Sequence, residues 1–492
     1  MNEVLPSLGG VALFLLAGLG LTEFFPGLRR LTLPSRLGYA YLLGLAVVAG
    51  SLYALSHLAK VPLRPPVIYL TFAAPVVAGL IRRALTPWPP LPVPGEGGKR
   101  ARTGVGGEGS GGGPSKVVIR VIAGLLAFVC LGLFADAVTN PVTGWDGRMT
   151  WSTQARYVRE EGTVDAEALR NGRWYINHPR YPLLLPVAQV AVLEAFGAEE
   201  DRHIFRPLYA ALFPAFLLVL GDGARRWAGR VPAALAGLAA AGLPVLTFWQ
   251  DSGAASAYSD FPLGCFYGAG LVLLLRSRRR VSDAVAAGLL LGAAVLTKNE
   301  GFLLAGSALL AALFLLRREG RLRQAARLGA AAALVALALA FFVSWRSEIP
   351  ERHDEKYSSF VDAGDFWPET FTRIPWLAPV IAREMFIWHR WSLFWAVAPV
   401  VFWAGRDGWH GRRRALFWTL LLAFAAPLAV GWGAYTVHWN PLPLIPVTWT
   451  RFLVQGSIPL FLLLALALRG ALRRMPGRSV PKVLLGLSHR AG

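Results

Sequence analysis

The sequence predicts an all-α, polytopic membrane protein. Apolar residues make up 55% of the 492 positions and recur in runs of about 16–22 residues, near the length that a helix needs to cross a bilayer. The formal net charge is +21, and the basic residues fall mostly in short loops between the apolar runs. That placement is typical of membrane topology and not of a nucleic-acid groove, so no nucleic-acid partner is expected.

The first 116 residues are predicted to comprise a membrane unit and a linker. Helices at 8–25, 37–58 and 66–81 make residues 1–81 an N-terminal membrane unit. Residues 82–116 are rich in proline, glycine and basic residues, and this composition cannot support a packed core. We therefore expect a disordered cytoplasmic linker at this point of the chain.

The core, residues 117–470, is predicted to hold ten further membrane-spanning helices, which makes 13 in all. They are placed at 117–136, 204–221, 231–248, 260–275, 282–297, 301–316, 325–345, 388–404, 414–433 and 451–469. The apolar run 183–196 has only 14 residues and is too short to cross comfortably, so we interpret it as a re-entrant or interfacial helix. Residues 471–492 are expected to form a basic cytoplasmic tail.

The distribution of charge predicts the orientation in the membrane. The loops assigned to the cytoplasm hold 31 of the 50 Lys and Arg residues and 6 acidic residues; these loops are 26–36, 82–116, 222–230, 276–283, 317–327, 405–414 and the chain after 468. By the positive-inside rule, the N-terminus and the loops 137–203 and 346–387 lie outside. We expect a multi-pass protein of the plasma (inner) membrane with an extracytoplasmic active site. Nucleotide sugars and ATP are cytoplasmic and are not expected as direct substrates.

Asp146 stands near the start of the first outer loop, between Trp145 and Gly147. A carboxylate among aromatic side chains, at low dielectric, accepts a proton from a hydroxyl more readily than one in water, so we interpret Asp146 as a general base. The alternative is an interfacial aspartate that caps a helix beginning near Met149, with Trp145 and Trp151 as interface anchors.

Two further groups of polar residues are predicted on the same outer face. His178 and Tyr181 lie in a proline-stiffened stretch, which either places both rings beside a substrate or forms a stiff turn back into the membrane. Asp251 and Asp260 flank a short turn, and Asp260 starts an apolar helix, where a carboxylate is costly and indicates function. With Asp146 they could hold a divalent cation, Mg or Mn; the alternative is that they are solvated loop acids.

Lys298 and Glu300 fall in a short break between two apolar runs. A lysine at the membrane surface suits a lipid phosphate, and a helix N-terminus near Gly301 favours the same anion; the alternative is a Lys298–Glu300 ion pair. Arg451, predicted to begin the last helix, is either a second cation for this phosphate or an interfacial arginine. The segment 346–387 is polar and then amphipathic, which fits a lid, an acceptor site or a solvated loop.

These motifs resemble the GT-C superfamily of integral-membrane glycosyltransferases, in particular the family-39-like bacterial proteins related to protein O-mannosyltransferases and lipid A aminoarabinose transferases. The motifs are Trp145-Asp146, His178-Pro179-Arg180-Tyr181-Pro182, Tyr258-Ser259-Asp260, Thr297-Lys298-Asn299-Glu300-Gly301 and Thr450-Arg451-Phe452. The resemblance covers roughly residues 117–470 and implies a GT-C fold with a large first extracytoplasmic catalytic loop.

The resemblance also implies an activity and a set of roles. The reaction would be inverting transfer of a sugar from a polyprenyl-phosphate donor to a hydroxyl of a glycan, lipid or protein acceptor. Asp146 would be the general base, and Lys298 and Arg451 would bind the donor phosphate. The remaining candidates would bind substrate: Trp145, His178, Tyr181, Asp251, Asp260 and Glu300. The Trp-Asp-Gly sequence differs from the acidic pair of the protein O-mannosyltransferases, so a protein acceptor is less expected.

Three other functions are compatible with such a chain. A transporter or flippase of lipid-linked glycans predicts charged residues near helix centres and paired repeats, and neither is evident in the sequence. A polymerase or ligase of lipid-linked glycans would share the architecture and a large outer loop. A purely structural membrane protein is the remaining alternative.

Overall fold

The computed structural model describes residues 4–86, 114–171, 178–198, 204–276, 280–351, 365–409, 413–438 and 440–474. Within these ranges the chain forms helices joined by loops and contains no β-strand. The prediction of an all-α protein with many apolar helices is therefore confirmed. Most of the linker predicted at 82–116 and of the tail at 471–492 lies outside the described residues.

The α-helices follow one another in this order: α1 Val4–Thr22, α2 Pro26–Arg29, α3 Leu33–Leu58, α4 Pro65–Leu85, α5 Pro114–Thr139, α6 Thr153–Glu161, α7 Glu167–Arg170, α8 Leu184–Ala195, α9 Arg206–Ala210, α10 Leu212–Trp227, α11 Arg230–Ala241, α12 Asp260–Arg276, α13 Val281–Val295, α14 Gly301–Arg318, α15 Ala326–Ser347, α16 Phe366–Met385, α17 Trp388–Trp391, α18 Phe394–Ala404, α19 Arg413–Val437, α20 Ile445–Gln455 and α21 Ser457–Arg474. A π-helical segment, Gly147–Ser152, precedes α6, and the 3-10 segments within the described ranges are Pro244–Leu246, Leu322–Gln324 and Arg406–Trp409.

Eight of the described helical segments are long and apolar enough to cross a membrane: α1, α3, α4, α5, the continuous stretch of α9 and α10, α14, α15 and α19. The pair α20–α21 is bent by 62° and would be a ninth. Other predicted crossings are shorter here, since α11, α13 and α18 have 12, 15 and 11 residues. The predicted helix 231–248 stops at Ala241, before the break at Gly242-Leu243-Pro244.

Two predicted boundaries need correction. The prediction that Arg451 begins the last helix is wrong, because α20 already begins at Ile445 and accommodates Pro446 in its first turn. The predicted helix 388–404 is interrupted, because Ser392 adopts a φ of +48° between α17 and α18. The amphipathic half of the outer segment 346–387 forms the 20-residue helix α16.

The loops meet in two separate sets, one at each end of the helix bundle. At one end Arg225 donates to Thr32 at 3.5 Å, and Asp283 lies against the backbone of Gly27. All four residues belong to loops that the charge pattern assigns to the cytoplasm. These contacts place loops of the same predicted side at the same end of the bundle, and which end faces the cytoplasm stays a prediction.

The loops that are predicted to lie outside are found at the opposite end of the bundle. His57, in the last turn of α3, and Lys60, just after this helix, contact the carboxylate of Asp165 at 2.8 and 2.7 Å. Arg170 pairs with Asp165 at 3.0 Å and also with Glu348. The N-terminal membrane unit, the first long loop and the end of α15 are thereby joined at this end of the bundle.

Candidate active site

The carboxylate of Asp146 forms an ion pair with Arg451, with 2.5 Å between Oδ2 and Nη1. Asp146 directly precedes the π-helical segment Gly147–Ser152, but its side chain makes no capping hydrogen bond. The capping interpretation is therefore not observed, and the side chain is instead directed to a helix 305 positions away in the sequence. Single turns of π-helix occur frequently at functional sites.

Tyr258 joins two of the predicted acids. Its hydroxyl accepts a hydrogen bond from the Asp146 backbone N–H at 3.0 Å and donates to Asp251 Oδ1 at 3.3 Å, while the Arg451 guanidinium lies 4.7 Å from the ring centroid. Burial and the charge of Asp146 raise the pKa of Tyr258 well above its ordinary value. The phenol therefore links the backbone of Asp146, from which it accepts, to the carboxylate of Asp251, to which it donates.

Asp260 and Lys298 form a second, more deeply buried ion pair. Asp260 is 1% exposed, and its Oδ1 accepts hydrogen bonds from Lys298 Nζ at 2.8 Å and from Gln455 Nε2 at 2.7 Å. Lys298 also pairs with Glu300 at 3.2 Å. Burial disfavours the ammonium, but the two carboxylates outweigh it and raise the pKa of Lys298 above its ordinary value. The ammonium charge of Lys298 is thus balanced by two carboxylates within the protein.

The two ion pairs are neighbours because α12 packs closely on α20. Arg451 and Gln455 are one turn apart on α20, so they face the same region. A Cβ atom at Gly264 of α12 would lie only 2.8 Å from the carbonyl oxygen of Val454. The absence of a side chain at Gly264 therefore permits the approach that brings Asp260 to Gln455.

Arg206 holds the loops on the other side of the site. Its guanidinium donates to the carbonyl oxygens of Ala255 at 2.8 Å, of Asp136 at 2.8 Å and of Asn140 at 2.7 Å, and it pairs with the Asp136 carboxylate at 2.7 Å. These bonds fix the loop that carries Asp251 to the beginning of the loop that carries Asp146. The sequence analysis missed Arg206, although a charged residue at the start of an apolar helix is a usable signal.

His178 and Tyr181 form a separate aromatic stack near this site. Their ring centroids are 4.6 Å apart, and Tyr181 also stacks on Trp151 at 5.6 Å. His178 has a φ of +53°, which is unusual for a residue with a side chain. The Leu184 N–H donates to the Leu296 carbonyl at 3.1 Å, so the segment ends beside the turn that carries Lys298. A substrate-binding role for this stack stays a prediction.

Of the nine predicted site residues, six lie in two neighbouring networks: Asp146, Asp251 and Arg451 form one with Tyr258, and Asp260, Lys298 and Glu300 form the other. Trp145 is 63% exposed and is placed as an interface anchor would be. Tyr258 and Gln455 complete the arrangement and were not among the predicted site residues. Tyr258 had a signal, since it stands two positions before Asp260.

Several buried polar atoms of this site have no hydrogen-bond partner in the described part of the chain. They are Arg451 Nε, Glu300 Oε2, Ser259 Oγ, Gln455 Oε1 and Ser457 Oγ. Buried polar atoms in native proteins are normally paired with protein, water or ligand. The site therefore offers both donors and acceptors to a polar ligand.

The predicted cation site is not preformed. Asp146 is occupied by Arg451, and Asp260 is occupied by Lys298 and Gln455. Among the described residues, the group whose ligand atoms converge within 4.8 Å is instead His57, Asp165 and Glu348. Lys60 and Arg170 already neutralise those two acids, so neither set fits a divalent ion well.

Comparison with known proteins gives no family assignment. Because no homologous protein fixes the roles of the residues, their assignment rests on the geometry described above. The chain matches no family model, no curated protein and no solved structure.

Proposed function

We propose that this chain is a GT-C-type membrane glycosyltransferase with 13 membrane crossings. It transfers a sugar, with inversion, from a polyprenyl-phosphate donor to an acceptor hydroxyl on the extracytoplasmic face. The observation that carries the proposal is the pairing of two buried cations, Lys298 and Arg451, with carboxylates at one end of the bundle. Unpartnered polar atoms accompany these pairs, as expected of a site that binds a polar ligand.

The two ion pairs suggest how a donor phosphate binds. A phosphate offers an arginine the same planar, bidentate contact as a carboxylate. When it engages Arg451, the guanidinium turns from Asp146, and the Asp146 carboxylate becomes available as a base. Lys298 contacts the phosphate from the other side while Asp260 holds the ammonium in place.

The chemical step then needs little beyond positioning. The Asp146 carboxylate takes the proton of the acceptor hydroxyl, and the hydroxyl oxygen forms a bond to the anomeric carbon. The bond between that carbon and the phosphate oxygen breaks, and its electron pair leaves with the polyprenyl phosphate. Lys298 and Arg451 stabilise the charge that develops on this leaving group.

The short helices support the larger number of crossings. α13 begins at Val281, near the end of the bundle where Asp283 meets Gly27. It ends at Val295, just before Lys298 at the opposite end. A helix of 15 residues thus passes from one set of loops to the other, and we count it as a crossing although it is short for a bilayer.

The test is transfer of labelled sugar in proteoliposomes that contain the full chain and a panel of polyprenyl-phosphate sugars. We expect Asp146→Asn to lower turnover by about 10²–10⁴-fold while donor binding is retained, as for loss of a general base. Glu369→Gln, in which an acid of α16 outside the site loses its charge, is the matched control and should keep full turnover.

The alternatives predict other results in the same assay. Full turnover by Asp146→Asn would remove this residue from the mechanism. Movement of the lipid between leaflets without transfer would make the chain a flippase. Lengthening or ligation of a lipid-linked glycan without use of a monosaccharide donor would make it a polymerase or ligase.

A further inference from the structure

A cavity of about 420 Å³ lies beside the candidate active site. It is bordered by the π-helical segment Gly147–Ser152, by α6 and by α8. Its volume falls in the range of pockets that hold small molecules, roughly 300–1,000 Å³. We call it the arginine cavity, because four arginines line it: Arg64, Arg148, Arg156 and Arg159.

The arginine cavity carries an excess of positive charge. Two of its arginines are balanced by acids of its own wall, since Arg156 pairs with Glu160 at 2.9 Å and Arg159 with Glu194 at 2.8 Å. For Arg64 and Arg148, the described part of the chain supplies no ion-pair partner. Among the described residues that line the cavity there are thus four arginines and two acids, Glu160 and Glu194, and guanidinium groups bind phosphate and carboxylate in preference to neutral groups.

An independent observation comes from Gln189 on the opposite wall. This side chain is 0% exposed and lies in the middle of α8, where its neighbours are apolar. Its Nε2 donates to the Tyr209 hydroxyl at 2.7 Å, but its Oε1 has no partner among the described residues. Gln189 is one of the residues that line the cavity, and its unpaired amide oxygen is a hydrogen-bond acceptor.

Part of the cavity wall comes from the same stretch of chain as the proposed base. Arg148 and Met149, which line it, follow Asp146 by two and three positions. A group bound by Arg148 is thereby held next to the segment that positions the Asp146 carboxylate.

We propose that the arginine cavity binds the acceptor, and that this acceptor is a hydroxylated anion such as a phosphorylated or carboxylated sugar. Arg148 and Arg64 bind the anionic group, and Gln189 accepts a hydrogen bond from a hydroxyl. The role as acceptor site rests on the proposed transferase function, whereas the binding chemistry does not. Neither Arg64, Arg148 nor Gln189 was singled out by the sequence motifs.

The test measures binding without any donor, so that it is independent of transfer. Full-length protein in nanodiscs of phosphatidylcholine is titrated with glucose 6-phosphate, glucuronate and glucose. We expect both anions to bind and glucose to bind at least tenfold more weakly. Arg148→Ala should weaken glucose 6-phosphate binding about tenfold or more, as expected when a charged hydrogen bond is lost, and Arg148→Lys should restore part of it.

Two further variants separate the site from general effects. Arg383→Ala removes an exposed arginine of α16 outside the cavity and should leave binding unchanged. Gln189→Leu should weaken binding of glucose 6-phosphate but not of inorganic phosphate, because the lost contact is to a hydroxyl. A melting temperature close to that of the wild type shows that each variant is folded.

Other results of these titrations would contradict the proposal in whole or in part. Equal affinity for glucose and glucose 6-phosphate, or equal binding by Arg148→Ala and Arg383→Ala, would overturn the proposal even if transfer is observed. Binding that behaves as expected in a protein that transfers no sugar would retain the anion site and overturn its role as acceptor site. Competition by phosphatidylglycerol in the nanodisc supports a lipid source of the anion, and lack of competition supports a soluble or glycan source.

Discussion

Asp146 and Arg451 neutralise each other across 2.5 Å, although one is the proposed base and the other a proposed phosphate ligand. In the absence of substrate, the ion pair therefore keeps the carboxylate from accepting a proton and the guanidinium from binding a phosphate. The pair also explains how the site tolerates a buried guanidinium, since an unpaired buried charge would be strongly destabilising. The same relationship makes the energetic coupling of the two side chains measurable.

We expect Asp146→Asn and Arg451→Gln to be non-additive. Each single change leaves a partner without its counter-charge, so the double variant should lose less stability than the sum of the singles, by about 0.5–3 kcal/mol. Chemical unfolding in mixed micelles measures the four free energies. Asp146→Asn combined with Glu369→Gln should be additive within about 0.5 kcal/mol. Additivity of the Asp146–Arg451 pair would contradict the observed contact.

Lys298 and Glu300 should affect phosphate binding in opposite directions. Glu300 pairs with Lys298 at 3.2 Å and therefore competes with a ligand phosphate for the ammonium. We expect Lys298→Gln to weaken binding of farnesyl phosphate about tenfold or more, and Glu300→Gln to strengthen it. Calorimetric titration of both variants is the measurement. Weaker binding by Glu300→Gln would mean that Glu300 positions the lysine and does not compete with the ligand.

The contact at Gly264 should be sensitive to a single methyl group. A Cβ there meets the backbone carbonyl of Val454 at 2.8 Å, and backbone cannot move aside as a side chain can. We expect Gly264→Ala to lower both the melting temperature and the transfer rate, because α20 carries Arg451 and Gln455. Gly306→Ala is the matched control, since a Cβ at Gly306 has no atom within 4 Å, and it should be neutral or slightly stabilising. An unaffected Gly264→Ala would show that α12 and α20 can separate without cost.

Protonation of Asp165 should lower the stability of the folded protein at acidic pH. Burial raises the pKa of its carboxyl, but hydrogen bonds from Lys60 and His57 outweigh this and place the pKa below the ordinary value of 3.8. A lowered pKa stabilises the folded state fully above about pH 4, and this contribution is lost as the pH falls below that value. Melting temperatures between pH 6 and pH 3, compared with those of Asp165→Asn, measure it. The variant should be less stable near neutrality and should show a smaller loss on acidification. Parallel curves for the two proteins would exclude this role.

Part of the site could be predicted because its signals are local. Asp260 at the start of an apolar helix and Lys298 in a short break between two helices stand out in any reading of the sequence, and α12 begins at Asp260 as expected. Gln455 gave no such signal, because its role depends on packing at Gly264. Arg451 was expected in the site, but its place in the middle of α20 was not, since the preceding prolines resemble a loop. Arg206 likewise acts through carbonyl groups that are distant in sequence.

In the proposed topology, the lengths of α12 and α13 determine how deep the site lies in the membrane. These helices have 17 and 15 residues and so rise about 25 and 22 Å, whereas the hydrocarbon layer is roughly 30 Å thick. If their cytoplasmic ends are level with the inner headgroups, Asp260 and Lys298 lie several ångströms below the outer headgroups. A phosphate can reach that depth only when it is attached to an apolar chain that partitions into the bilayer. Selection for a lipid-linked substrate over a water-soluble one would then follow from helix length alone, before any side chain contacts the sugar.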